Sequence, residues 1–171
     1  HYISVALLLL VSILVRRWFD YQLFLPLIAG GLIGAILPDI DHLIYIYLLK
    51  PSDPASISTT ELIKNKKFKE SLSFLVMTRS ARQNLIFHNV LFQLLFFIFA
   101  YLMLTSSSNF FGRGLVLSFL VHLSVDQYLD FKANGNLDSW FSKFNFSLAK
   151  NQQTLYWVVS VIVIFILGVL F

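Results

Sequence analysis

Seven residues carry the chemistry this sequence could do: His1, His42, His88 and His122, with Asp39, Asp41 and Asp126. Cysteine is absent. Imidazole and carboxylate without sulfur is a ligand set suited to zinc, manganese or iron. His122 and Asp126 stand four apart and project from one face of a helix. Asp39 and His42, three apart, can do the same, and Pro38 breaks the preceding helix so that Asp41 can also turn inward. Each of the seven lies within or beside an apolar stretch, where ionisable groups are costly and tend to be functional. A cation would offset the cost of burying the carboxylates. Each piece has a plainer reading on its own: a snorkelling histidine, a helix cap at Asp39 and Asp41 for the helix resuming at Leu43, or a hydrogen-bonded pair at His122 and Asp126. Their convergence from separate segments favours a shared site holding one or two divalent ions, zinc first.

The segments that must position these groups are apolar. Of 171 residues, 57% are hydrophobic and 13% charged, and the mean hydropathy is +0.74. That balance excludes a disordered chain and argues for a bilayer as solvent. Five apolar segments are expected: Ile3–Val15, Leu23–Leu37 resuming as Leu43–Leu49, Leu85–Leu104, Leu115–Leu129 and Leu155–Phe171. A basic stretch at 50–83 reads as an interfacial helix with capping-box spacing at Ser58 and Glu61. The stretch 131–152 reads as a turn at Ala133–Asn136 followed by a second interfacial helix bearing Trp140, Phe141, Phe144 and Leu148. The predicted fold is therefore all-α: one domain over 1–171, a multi-pass bundle of about five membrane-embedded segments with one or two interfacial helices.

Five alternating crossings put 10 Lys and Arg residues on the side of His1, among them Lys50, Lys64, Lys69, Arg79, Arg82 and Lys132, against Arg16, Arg17 and Arg113 opposite. The richer side is expected to face the cytoplasm. The same alternation brings His1, the Pro-Asp-Ile-Asp-His string, His88 and the His122/Asp126 pair to one level near that side. The net charge of +4 then speaks to orientation and anionic lipid, and no nucleic-acid partner is expected.

The string GAILPDIDH at Gly34–His42, the isolated His88 opening the next apolar segment and HLSVD at His122–Asp126 together resemble the YdjM-like family of membrane-bound metal-dependent hydrolases. The resemblance covers about residues 1–130, and His1 falls where that family has its first histidine. The order of ligands is also similar to the secreted zinc-dependent phospholipase C and P1-nuclease group. That group has a later His and a His-x-x-x-Glu pair, whereas no His or Glu follows Asp126 here. Around the third His, only His88 and Arg82 match the family's pattern.

The resemblance implies a metal-dependent hydrolase acting on a phosphoester of a lipid or other membrane-accessible substrate, and a bacterial or archaeal cytoplasmic membrane is the expected location. His42, His88, His122 and Asp126 are the core ligands expected, with His1. One of Asp39 and Asp41 is a further ligand and the other positions or deprotonates water; the working assignment gives Asp41 to the metal and Asp39 to catalysis. Arg82 is expected to hold the anionic substrate. The alternatives are a metal- or proton-handling transporter, and a non-catalytic protein stapled by its metal.

Overall fold

The computed structural model describes residues 1–79, 82 and 85–170. Residues 80, 81, 83 and 84, at the junction of the expected basic stretch and third apolar segment, and 171, the end of the fifth, lie outside that description. The described residues are helical and contain no strand. In chain order they form α1 (Tyr2–Arg16), α2 (Tyr21–Gly34), a 3-10 turn (Leu37–Asp39), α3 (Ile40–Ile44), a π turn (Tyr45–Leu49), α4 (Pro54–Lys64), α5 (Phe68–Met77), α6 (Val90–Ser106), α7 (Phe110–Asn134) and α8 (Lys150–Leu170).

The axis of the bundle is α7, which buries twelve of its 25 residues. Around it pack Val5 and Leu9 of α1, Leu27 of α2, Ala100 and Leu104 of α6, and Ile164 and Leu167 of α8. The tightest approach is between α2 and α7. A methyl group added at Gly30, Gly34 or Gly114 would collide with the backbone of Phe111, Leu115 or Leu27 respectively. Small residues there let two backbones touch, as they do where helices pack in membranes. Gly34→Ala should therefore destabilise the protein by about 1–3 kcal/mol through overpacking, despite alanine's better helix propensity. Thermal unfolding in detergent would reveal it, and an unchanged midpoint would contradict the close approach.

Two helical stretches are long and apolar enough to cross a membrane: Tyr21–Leu49, 29 residues, and Lys150–Leu170, 21 residues. In them 33% and 28% of the most apolar stretch is buried. The expected count of five is corrected to two on length and composition. α1 stops at 15 residues and α6 at 17. α7 is long enough, but His122, Asp126, Gln127 and Asp130 dilute its hydropathy. The outer faces remain apolar throughout: Leu7 and Leu14 on α1, Ile98 and Leu102 on α6, and Ile162 and Phe165 on α8 are all exposed.

The connecting segments depart from the sequence reading in two places. α4 starts at Pro54, capped by the Asp53 carboxylate accepting from Ala55 N–H at 2.9 Å, so Ser58 and Glu61 fall inside the helix. Proline suits that first position because its missing N–H would be unpaired anyway. The segment after α7 is not an interfacial helix but a series of turns from Asp138 to Phe146. It leaves α7 through Gly135 at φ 75°, a left-handed cap that glycine adopts without strain. It then tucks Leu137, Trp140 and Phe141 against Phe119 and Leu123 of α7. The aromatic residues thus serve as core, fixed by Gln153, whose Oε1 accepts Leu137 N–H at 2.6 Å and whose Nε2 donates to Asp138 at 2.7 Å.

Candidate metal centre

Pro38 explains the first ligand's orientation. It has no N–H to donate, and the chain tightens into the 3-10 turn, where Asp39 N–H bonds Ile36 O at 3.0 Å. The Ala35 carbonyl is thereby left without a helical donor and pairs with His122 Nδ1 at 2.7 Å. A carbonyl can only accept, so Nδ1 carries a proton and Nε2 is the ring atom turned inward. That Nε2 is buried and, among the described residues, has no hydrogen bond. It lies 3.2 Å from Asp126 Oδ2 and 3.5 Å from Asp39 Oδ1. An imidazole Nε2 facing two carboxylate oxygens is a donor set that a divalent cation can join.

His1, at the head of α1, supplies the next member. Its ring stacks on His122 with centroids 4.2 Å apart, its Nε2 is 3.1 Å from Asp126 Oδ1, and its buried Nδ1 has no partner among the described residues. His1, His122 and Asp126 each offer a ligand atom within 4.8 Å of the others. These residues could hold a metal ion, and the unpaired Nε2 of His122 fits that use. Asp39 is the outermost carboxylate at the site, its side chain 51% exposed.

Asp41 is placed differently from expectation. Its oxygens accept Ile86, Phe87 and His88 N–H at 2.9, 2.6 and 3.2 Å, and His88 Nδ1 at 3.1 Å. Four donors fill the roughly four lone-pair positions of a carboxylate. The metal assignment of Asp41 is corrected accordingly: it anchors the segment before α6 and orients His88. Asn89 closes the same segment from its other side, capping α6 through Phe92 N–H at 2.9 Å and donating to Leu85 O at 3.1 Å. His88 Nε2 is thus aimed at Asp126 Oδ2, 2.8 Å away. This carboxylate–imidazole–carboxylate chain is the kind that orients ligands at metal sites. Burial pulls the proton affinity of His88 down, but its hydrogen bonds to Asp126 and Asp41 outweigh burial and hold it above the ordinary histidine value.

His42 stacks on His88, with centroids 5.1 Å apart, and its Nδ1 faces the Arg82 Nε at 3.4 Å. His42 and His88 therefore border the His1–His122–Asp126 group without belonging to it. Arg82 is only 5% exposed and also donates to Thr78 Oγ1 and the Leu75 carbonyl. It still lines a polar cleft of about 210 Å³ with Arg79, His88, Asp130, Asn134 and Trp140.

Arg79 and Asp130 are the main additions to the sequence reading. Arg79 forks onto Asp126 at 2.9 and 2.8 Å and reaches Asp130 Oδ1 through Nε at 2.9 Å. Asp130, one turn beyond Asp126 on α7, also accepts Trp140 Nε1–H at 2.8 Å. Burial opposes the Arg79 charge, but Asp126 and Asp130 outweigh it and raise its proton affinity. In metal-free protein, Arg79→Ala should cost about 3–5 kcal/mol by leaving buried carboxylates without a counter-charge. Added zinc should return most of that loss. Denaturant unfolding with and without zinc reads the difference, and an equal loss in both would make the arginine the site's sole counter-charge.

Together these features define a helical bundle with an apolar exterior and a buried His–Asp group able to hold a cation. Comparison with protein-family models, curated proteins and solved structures gives no match to this chain.

Proposed function

We propose that the chain is a multi-pass membrane protein and a metal-dependent hydrolase of a lipid or other membrane-accessible phosphoester. The observation that carries this reading is the buried, unpaired Nε2 of His122 facing Asp126 and Asp39, with His1 stacked beside it. The resemblance to the YdjM-like family points the same way. Two features support a multi-pass arrangement in which α1 and α8 run side by side. Arg16 at the end of α1 bonds the Leu170 carbonyl at the end of α8 at 3.3 Å, and the Arg16 and Arg113 guanidiniums both lie over the Trp18 ring. Those basic residues then share the far end from His1, and the larger basic set faces the cytoplasm.

His1, His122 and Asp126 would hold the ion, with zinc the first candidate. A divalent ion there supplies Lewis acidity toward a phosphoryl oxygen and lowers the pKa of a water toward about 7. Asp39, exposed and beside His122, is placed to accept the water's proton. Asp41 keeps His88 oriented, and Arg79 and Arg82 line the cleft through which an anionic group would approach.

The test is purification of the full chain, measurement of bound metal, and an assay of phosphate release from lipid phosphates with Asp39→Asn beside wild type. The proposal expects both proteins to keep the metal and the variant to lose activity by about 100-fold. A second reading, a metal-stapled protein without activity, is favoured by the saturation of Asp41 and by the Arg79 fork. Bound metal with no hydrolysis of any phosphoester offered would select it.

A further inference from the structure

The basic stretch folds as two helices, and the second presents an apolar row outward. On α5, Phe68, Leu72 and Val76 stand four apart and share one side of the helix. They are 64, 65 and 69% exposed. The adjoining flank holds α5 to the bundle: Ser71 is buried, and Leu75 packs against Tyr45, Ile46 and Leu85. Large apolar side chains exposed in a continuous row mark a contact surface, which scattered ones do not.

Charge and level decide what that surface meets. Lys64, Lys66, Lys67 and Lys69 are all exposed and crowd the turn into α5 and its first residues. Lys66 has φ 58°, a left-handed backbone that favours glycine, and the lysine there sets its charge at the tip of the turn. Lys69 precedes Leu72 by three residues and Val76 by seven, so it borders the apolar row. Glu70 lies on the far side of α5 from that row, paired with Lys67 at 3.3 Å. Lysines rimming an apolar row make the composition of a helix lying on an anionic lipid surface. The level agrees. Tyr45 and Ile46, on which α5 packs, lie in the last residues of the candidate span Tyr21–Leu49, just before the polar turn Lys50–Asp53. α5 therefore sits where the apolar belt ends and lipid headgroups begin.

We propose that α5 docks on an anionic lipid leaflet, with Phe68, Leu72 and Val76 entering the acyl boundary and the four lysines meeting headgroup phosphates. The inference goes beyond the hydrolase reading and takes from it only the bilayer beside α5. Docking also steadies Arg82, which donates to Thr78 Oγ1 at 2.8 Å and to the Leu75 carbonyl. α5 thereby ties the polar cleft to the height of the headgroups.

The chain has no cysteine, so Leu72→Cys and Ile162→Cys each carry a single fluorophore. Each full chain is placed in phosphatidylcholine vesicles, with or without phosphatidylglycerol, and quenched by a lipid spin-labelled near its headgroup. The label at Ile162, on the exposed face of α8, is expected to contact lipid in both vesicles. The label at Leu72 is expected to be quenched when phosphatidylglycerol is present. Lys66→Gln and Lys69→Gln should each weaken that docking about fivefold, and raised salt should weaken it in the chain with all four lysines. Quenching at Leu72 that ignores phosphatidylglycerol, salt and both lysine variants would overturn the anionic surface as the partner. Quenching at Ile162 without quenching at Leu72 sinks this inference alone. Quenching at Leu72 but not at Ile162 sustains it and defeats the multi-pass reading, and quenching at neither defeats both. A disulfide-linked dimer of unlabelled Leu72→Cys, formed equally with and without phosphatidylglycerol, would assign the row to a second copy instead. Should Leu72→Cys lose its helical signal, Val76→Cys replaces it with the same expected readings.

Discussion

Substituting His122 with alanine is expected to abolish binding of the divalent ion. Loss of a partner that merely orients a ligand costs about 10–100-fold in metal affinity, and His122 offers the ligand atom itself, so a fall of at least about 100-fold follows. The substitution also leaves the Ala35 carbonyl without its 2.7 Å donor, which should cost a further 1–3 kcal/mol or about that. α7 has eleven other buried residues to keep it in place, so the helical signal should survive. Elemental analysis of the purified variant, with zinc titration, reads the effect directly. Metal content equal to wild type would remove His122 from the ligand set and with it the centre as described.

The second large effect is expected from Asp41→Ala, and it is structural. Three backbone N–H groups and the His88 ring lose their acceptor together. Each buried donor left unpaired costs about 1–3 kcal/mol, so a total of about 3 kcal/mol or more is expected. The amides of Ile86, Phe87 and His88 should lose hydrogen-exchange protection ahead of the rest of the molecule. His88 should also cease to be held against Asp126, weakening metal by about 10–100-fold as an orienting residue does. Unfolding and exchange measurements test the first part, and zinc titration the second. A variant with intact protection at 86–88 but no metal would return Asp41 to the role of ligand.

What the sequence made legible was local. The His122/Asp126 pair follows from helical spacing alone, and Pro38 was readable as a break. Less readable was what the break releases: a carbonyl, at Ala35, that sets the histidine's tautomer from 87 residues away in sequence. Asp130 shares a row with His122 and Asp126, so helical spacing could have grouped them. Its partners Arg79 and Trp140 come from segments whose path no periodicity encodes. The stretch 139–149 shows why. Trp140 and Phe141 have a spacing compatible with a membrane-surface helix, yet they fill a cavity beside α7 that exists only once α6 and α7 have packed. Asp41 misled for a related reason. A carboxylate near histidines looks like a ligand until the backbone amides it satisfies are known.

The glycine seam between α2 and α7 has a consequence for how an ion comes and goes. With two backbones in contact, that pair behaves as a fixed post. α1 buries only Val5, Leu9 and Ser12 and carries His1 at its tip, so of the three residues that could hold an ion His1 stands on the less deeply buried helix. An ion held there would be expected to exchange through loss of His1 first, with His122 and Asp126 on the buried α7. A disulfide pinning α1 to α8 would slow exchange of the ion far more than it would change the strength of its binding.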